Sequence, residues 1–187
     1  MISNKKVMWF IFGLMVCAQL LTPAQMIYAK HLVKLKGITY KFELQAIDPS
    51  DPFRGKYIIL RPKSVDYTTR NPEAKLHGNV CASLETDSLG YAKITALSTA
   101  APDHTNYLKV DSYQRSRTDT SMIVRILYPF DRYYMNEHKS LPAERLTRAA
   151  VLDSTKTCYA EVAIYNGQFS LISVKINDED IENLIEN

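Results

Sequence analysis

The feature that most constrains this chain is an uncharged, apolar run from Val7 to Ala29, which is closed by Lys30. As an α-helix rising about 1.5 Å per residue, a run of this length spans roughly 30 Å, the thickness of the hydrocarbon core of a bilayer. Trp9 and Tyr28 lie near its two ends, where amphipathic aromatic rings settle at the headgroup level. The run therefore predicts one N-terminal transmembrane helix.

A cleaved signal peptide is the alternative interpretation of the same run. Thr22-Pro23-Ala24 offers small residues at a spacing that resembles a cleavage site after a shorter apolar core. Against cleavage, apolar residues resume at Met26 and Ile27, beyond the supposed cut. The sequence thus favours a retained anchor and leaves a periplasmic, cleaved form as the alternative.

The topology of this anchor depends on what must cross the membrane. Lysines flank the apolar run on both sides, so the count of positive charges is close to a tie. A short tail needs no translocation, whereas large domains cross largely regardless of local charge. We therefore expect residues 1–6 in the cytoplasm, residues 7–29 in the membrane and the rest outside the cytoplasm. Gln19 and Gln25 either lie near the outer interface or bond to another membrane helix.

Beyond a short linker of residues 30–36, the sequence predicts one β-rich domain over residues 37–177. Apolar and polar residues alternate there in short runs separated by turn residues, which is typical of half-buried strands. Their number and hairpin spacing favour a mainly β (β-rich α+β) fold, an antiparallel sandwich or open barrel with one packed helix. The predicted strands are Thr39 to Ile47, Tyr57 to Leu60, Asn79 to Leu84, Tyr91 to Leu97, Met122 to Tyr128, Cys158 to Tyr165 and Phe169 to Ile176.

Two turns in this domain carry hairpin signals. Asn166-Gly167 separates the last two predicted strands, and this dipeptide supplies the positive φ angles of a tight hairpin turn. The residues from Asp87 to Gly90 indicate a second hairpin for the same reason. We expect antiparallel pairing of the strands on either side of each turn.

One helix and one charged segment complete the predicted organisation. The helix extends from Leu141 to Val151, with Ser140 as its N-cap. Residues 178–187 are rich in carboxylates and are interpreted as a solvated, frayed acidic tail.

Charge and motif content argue against several classes of function. The net charge of +3 is small and the basic residues form no stripe, so nucleic acid is an unexpected partner. No His-x-x-x-His or Cys-x-x-Cys unit offers metal ligands, and no glycine-rich phosphate loop is present, so we predict no metal site and no cofactor. Glu137-His138 as an acid/base pair, and Ser64 with Lys63 or Lys56, have no spacing that supports catalysis. An enzyme is therefore the less favoured class.

Cys81 and Cys158 fall within predicted strands of a domain expected in an oxidising compartment. They form either a disulfide or two buried thiols, since free cysteine also packs well in a core. Cys17 lies in the predicted membrane helix and is expected to remain unpaired.

The most distinctive segment begins with Asp48-Pro49 and Asp51-Pro52, two steps that force an extended or turning backbone. Gly55 then permits a sharp bend before the predicted strand. The segment therefore predicts a bulged corner between strands.

This corner resembles the signature of the GDYXXLXY domain family. Its members share a membrane-spanning N-terminus, an acidic and proline-rich turn, and a step similar to Phe53-Arg54-Gly55. Within the named motif, Gly55, Tyr57 and Leu60 match.

The sequence departs from the family pattern at two positions and follows it beyond the motif. Lys56 stands where the family has Asp, and Pro62 where it has the final Tyr. The resemblance continues through Tyr134 and Glu137 before the predicted helix and spans about residues 10 to 180. The reversed charge of Lys56 argues against an essential role for the family's Asp.

The resemblance implies a bacterial inner-membrane or envelope protein of undefined biochemical role that works beside an integral membrane protein. We predict a non-enzymatic interaction module; a small-ligand sensor and an unrecognised envelope hydrolase are the alternatives. The resemblance supplies no catalytic residues. The predicted motif and partner-binding residues are Phe53, Arg54, Gly55, Tyr57, Leu60, Tyr134 and Glu137.

Overall fold

The computed structural model describes residues 4–45, 57–71, 73–103 and 106–186, and these residues form a β-rich fold behind a long N-terminal helix. The elements in chain order are α1 (Asn4–Lys36), β1 (Ile38–Glu43), β2 (Tyr57–Ile59), β3 (Asp66–Thr69), β4 (Gly78–Thr86), β5 (Ala92–Ser98), β6 (Tyr107–Arg117), β7 (Met122–Leu127), β8 (Arg132–Tyr134), α2 (Glu137–Leu152), β9 (Cys158–Tyr165), β10 (Gln168–Ile176), β11 (Glu179–Asp180) and α3 (Ile181–Glu186).

The strands form three antiparallel sheets. The first sheet has the order β1-β9-β10-β11, the second sheet β3-β7-β6-β4-β5, and the small sheet pairs β2 with β8. Isolated bridges join Lys41 of β1 to Tyr91, just before β5, and Leu108 of β6 to Gly167 of the β9–β10 turn, so the first and second sheets are also linked to each other. The predicted mainly β, antiparallel fold class is confirmed.

One hydrophobic core lies between the sheets. It draws on alternate residues of the strands, because successive side chains of a strand point to opposite faces. Phe42 of β1 is 2% exposed, and its ring contacts the rings of Phe130 and Tyr128 at centroid distances of 4.8 and 5.3 Å. The Phe130 ring in turn lies 5.7 Å from that of Phe169 on β10. These edge and tilted contacts link the first sheet to the segment that precedes β8.

Both predicted hairpins are present. Asn166 and Gly167 join β9 to β10 with φ angles of +48° and +77°. Between β4 and β5, the Asp87 carboxylate accepts hydrogen bonds from the backbone N–H groups of Leu89 (2.9 Å) and Tyr91 (2.8 Å). A short polar side chain thus organises the second turn, as its sequence indicates.

The predicted start of helix α2 is wrong by four residues. The helix begins at Glu137, and Asn136 is its N-cap, with a side-chain oxygen that accepts a hydrogen bond from the N–H of His138 at 3.0 Å. Ser140, the predicted N-cap, is a buried residue of the first turn whose hydroxyl donates to the carbonyl of Glu137 at 2.8 Å. Asn and Ser are equally good caps, and the earlier one acts here.

The predicted linker of residues 30–36 is also wrong, because helix α1 continues to Lys36. Val33, in its last turns, is 1% exposed, and α1 packs against β9 and β10. A helix that buries a side chain on the sheet gains stability that a solvated linker would lack. Only Gly37 separates α1 from β1.

Residues 178–186 are not the frayed tail that their charge indicates. Asn177 and Asp178 have φ angles of +51° and +67° and turn the chain back, so that β11 pairs with the end of β10. In the short helix α3, Ile181 is fully buried and the Glu182 carboxylate accepts a hydrogen bond from the hydroxyl of Tyr133 at 2.8 Å. The domain therefore extends beyond the predicted boundary at residue 177.

Candidate functional site

The two distinctive segments of the sequence pair with each other. Strand β2, which begins at the matched motif residue Tyr57, aligns antiparallel with β8 so that Tyr57 faces Tyr134. The centroids of these two rings are 5.5 Å apart. The guanidinium carbon of Arg132 lies 4.9 Å from the centre of the Tyr57 ring, within cation–π range. We call Tyr57, Arg132 and Tyr134 the tyrosine surface.

The tyrosine surface is open to solvent, and its guanidinium group on Arg132 lies 3.5 Å from the Asp131 carboxylate. Tyr134 is 65% exposed. The pKa of Arg132 is raised above its ordinary value, chiefly by a hydrogen bond with the Tyr134 side chain. Electrostatic interactions with Tyr57 and Asp131 raise it further. The surface therefore presents two aromatic rings and a permanent positive charge, a combination typical of protein-binding hot spots.

The opposite face of the small sheet fixes it to the core. Ile58 and Leu60 alternate with the exposed positions and are each 2% exposed. The backbone N–H of Leu60 donates to the carbonyl of Asp131 at 2.8 Å, and Tyr133 is bonded to Glu182 of α3. Leu60, which the sequence groups with the partner-binding residues, is therefore a core residue and is unavailable to a partner.

Of the remaining predicted site residues, Glu137 lies within the described part of the chain. Glu137 is exposed in the first turn of α2, where a negative charge stabilises the helix N-terminus. Phe53, Arg54 and Gly55 lie outside the described residues. The described strand β2 begins two residues after them, at Tyr57.

A first cleft of about 450 Å³ opens between the segment after β2 and the end of β7, and no sequence pattern indicated it. Its lining includes Arg61, Arg125 and Tyr128. Burial raises the pKa of Tyr128 far above its ordinary value, and its hydroxyl donates to the carbonyl of Ser64 at 2.7 Å. Tyr128 is therefore a neutral, fixed part of the wall.

The charges beside this cleft are partly balanced. Arg125 holds the Asp66 carboxylate with two hydrogen bonds of 2.6 and 2.9 Å, and Arg115 pairs with the same carboxylate. The hydrogen bond from Arg125, followed by the charges of both arginines, lowers the pKa of Asp66 against a smaller opposing effect of burial. One carboxylate shared by two guanidiniums leaves this region positive.

A second cleft of about 390 Å³ contains the serine and lysine considered in the sequence. Ser64 and Lys63 both line it, together with Glu43. The Lys63 ammonium lies 2.9 Å from the Glu43 carboxylate. Lys63 is thus engaged with a carboxylate, and the arrangement gives no support to a serine–lysine hydrolase.

Cys81 and Cys158 are both buried free thiols, on the second and the first sheet respectively, so the disulfide alternative is not formed. Burial raises the pKa of Cys158 to about 12. Its thiol is therefore protonated and unreactive at neutral pH. Cys17 is exposed on α1 and unpaired.

Metal chemistry and acid/base chemistry find little support in the described part of the chain. There, no three His, Cys, Asp or Glu side chains lie close enough to hold a metal ion. Glu137 and His138 are exposed at the start of α2 and line neither of the two clefts described above.

Helix α1 is the one described helix whose length and composition allow it to cross a membrane. The candidate span covers residues 5–36, has a mean hydropathy of 1.8 and has no buried residue in its most apolar window. A membrane anchor and a signal sequence share these properties.

Comparison with known proteins gives one match. The description "GDYXXLXY protein" matches residues 19–174, from within α1 to the end region of β10. No curated protein sequence and no solved structure matches the chain. Because the matched segment covers most of the chain and includes the paired motif strands, this protein belongs to the GDYXXLXY family.

Proposed function

We propose that the protein is a membrane-anchored interaction module of the bacterial envelope, whose domain lies outside the cytoplasm and binds an integral membrane protein. Support comes from the family membership, from the apolar helix α1 and from the tyrosine surface. The family has no defined biochemical role, so the residues of this chain carry the argument.

The exposure of Tyr134 is the observation that carries the proposal. Its neighbours Ile58 and Leu60 are needed in the core, but a side chain that is 65% exposed contributes little to folding. Tyrosine and arginine are the residue types that contribute most often to binding energy at protein interfaces. A partner that covers Tyr134 and Tyr57 would bury both rings and the stacked Arg132.

The anchor favours a partner in the same membrane. Gln19 and Gln25 are exposed on α1, and an amide in lipid gains from a hydrogen bond to another helix. A partner that meets α1 and the tyrosine surface together gains a high effective concentration for the second contact.

Affinity purification from detergent-solubilised membranes tests this proposal. We expect Tyr134→Ala to lose the co-purifying membrane protein while its free energy of unfolding changes by less than about 1 kcal/mol. Tyr113→Ala is the matched control, because Tyr113 is an exposed tyrosine of the second sheet, 41% exposed. It should retain the partner.

Two results would contradict the proposal. Retention of the partner by Tyr134→Ala removes the tyrosine surface from recognition, and a large fall in stability makes Tyr134 a structural residue. Arg54→Ala extends the test to the neighbouring corner. Partner loss with unchanged thermal stability supports recognition by Arg54, whereas strong destabilisation means that Arg54 only builds the corner.

The first cleft favours a small-ligand sensor as a second candidate function. Arg61, Arg125 and Asp131 line it, and because Arg125 is paired with Asp66, Arg61 is the residue expected to bind an anionic ligand. A ligand that binds only the folded state raises the melting temperature, and the rise continues to grow with ligand concentration above the Kd. Thermal shift measurements with small carboxylates and phosphates test the idea, and Arg61→Gln should remove any shift.

A further inference from the structure

The joint between α1 and the domain is rigid. A Cβ atom at Gly37 would lie 2.3 Å from the carbonyl oxygen of Val33 and 3.1 Å from the backbone nitrogen of Ile164, so the helix end and β9 meet in direct contact. The N–H of Gly37 also donates to the Val33 carbonyl at 2.9 Å. The domain therefore has a fixed position relative to the last turns of the helix.

This joint determines which part of the domain lies at the bilayer. Lys30 directly follows the apolar run, and its ammonium donates to the carbonyl of Phe169 at 2.7 Å and lies 4.1 Å from the centre of the Phe169 ring. Phe169 is the second residue of β10, beside the β9–β10 turn. If α1 crosses the membrane, the start of β10 is held at the headgroup level.

Basic side chains surround the start of β10. Lys34 and Lys36 are exposed on the last turns of α1, and the exposed Lys109 contacts the β9–β10 turn. None of the ion pairs seen among the described residues involves these three lysines.

Exposed apolar side chains lie among these cations. Leu35 is 70% and Ile38 is 46% exposed, on either side of the joint. Protein surfaces that lie in a membrane interface combine apolar side chains with basic side chains, and the basic side chains bind anionic headgroups.

We propose that Lys30, Lys34, Lys36 and Lys109, around the contact of Lys30 with Phe169, form a juxtamembrane surface that binds the anionic headgroups of the bilayer crossed by α1. The inference rests on the membrane anchoring in the proposed function and does not depend on the tyrosine surface or its partner. Lipid charge would then hold the domain down on the bilayer.

Fluorescence quenching of the full chain in lipid nanodiscs tests the juxtamembrane surface. Cys17→Ala removes the exposed native thiol, and a bimane label is attached at Gln168→Cys in one sample and at Leu89→Cys in the other. Gln168 begins β10 beside the α1 joint, whereas Leu89 belongs to the β4–β5 turn, which meets the first sheet at Lys41, farther along β1 from Gly37. The quencher is a nitroxide on the lipid headgroup.

We expect at least twofold stronger quenching at residue 168 than at residue 89, and a further increase when phosphatidylglycerol replaces part of a phosphatidylcholine bilayer. Lys34→Gln with Lys36→Gln should abolish that increase. Lys93→Gln with Lys156→Gln removes the same charge elsewhere and should preserve it.

Each contrary result identifies what fails. Equal quenching at the two labels, or no response to phosphatidylglycerol, overturns the juxtamembrane surface while the anchor stands. Failure of the chain to float with liposomes overturns the anchor and this inference together. Loss of the tyrosine-surface partner alone leaves the quenching pattern, and therefore this inference, in place.

Discussion

The first sheet and the small sheet use tyrosine in opposite ways. In the first sheet, Tyr40 and Tyr159 are 4% and 2% exposed, and their hydroxyls donate to the Leu84 carbonyl and to Asp178. In the small sheet, Tyr134 is 65% exposed, and the contacts described above join it to Tyr57 and Arg132 of the tyrosine surface. Packing explains the first pair of tyrosines, whereas the folding role of Tyr134 is limited to its ring contact with Tyr57.

This contrast separates residues that stabilise from residues that are available for recognition. β9 is buried on both faces, since consecutive residues Cys158, Tyr159 and Ala160 are each less than 5% exposed. The small sheet has three residues in each strand and one buried face. A substitution in the first sheet should therefore report on folding, and one on the tyrosine surface should report on binding.

The largest effect is expected for Phe42→Ala in the first sheet. Removing this ring leaves a cavity beside Phe130 and Tyr128, and should lower the free energy of unfolding by about 3–5 kcal/mol. Chemical denaturation of the full chain in detergent measures it. Phe42→Leu fills most of the space and should cost less than half as much; equal costs would mean that the core here does not depend on ring packing.

A double-mutant cycle between Tyr57→Ala and Tyr134→Ala should give an intermediate effect. Rings in tilted contact couple by about 0.5–1.5 kcal/mol beyond their buried area. The cycle between Tyr113→Ala and Tyr134→Ala, whose residues lie on different sheets, should be additive within about 0.5 kcal/mol. A coupling near zero in the first cycle would show that the two rings of the tyrosine surface do not stabilise each other.

The smallest effect is expected for Asp66→Asn on the second sheet. The pKa of Asp66 is lowered by Arg125 and Arg115, so its carboxylate stabilises the fold above its unfolded pKa of about 3.9 and loses that contribution as the pH falls through the lower folded value. Because the pair is partly solvent-exposed, the loss at neutral pH should be under about 1 kcal/mol. Thermal melts from pH 7 to pH 2 should show the two proteins converging in acid; a constant gap would contradict this assignment.

Much of the fold follows from the sequence where a periodic pattern and a turn residue agree. The β9–β10 hairpin combines alternating apolar residues with Asn166-Gly167, and both features are present in the structure. Strand β6 was missed because its core face includes a serine. Ser112 is 2% exposed and is accommodated by hydrogen bonds from its hydroxyl to the carbonyls of Gly78 (3.0 Å) and Leu76 (3.3 Å).

The errors at the chain ends have a tertiary cause. Residues 30–36 and 178–187 are rich in charge, which favours solvated segments when sequence is considered alone. Each segment also contains one apolar residue, Val33 or Ile181, that the sheets bury almost completely. Burial of this side chain helps to fold a short segment that would otherwise be solvated. The site on the sheets that receives the side chain is formed by distant residues, so the local sequence does not reveal it.

The candidate site was predictable in part. The sequence identified Tyr57 and Tyr134 as members of two distinctive segments 77 residues apart along the numbering, but only strand pairing shows that they face each other. The role of Leu60 was misjudged because a motif position can be conserved in a pattern for packing as well as for recognition. Arg132 was missed, since an arginine without its stacked ring has no sequence signal.

The direct passage of α1 into β1 through Gly37 has a consequence for orientation in the plane of the membrane. Because no flexible linker separates the two, the domain rotates about the membrane normal only together with helix α1. A neighbouring helix that bonds to one side of α1 thereby selects the direction in which Tyr57 and Tyr134 point. The rotational orientation of α1 would then determine both which helix it contacts inside the bilayer and which direction the tyrosine surface faces outside it.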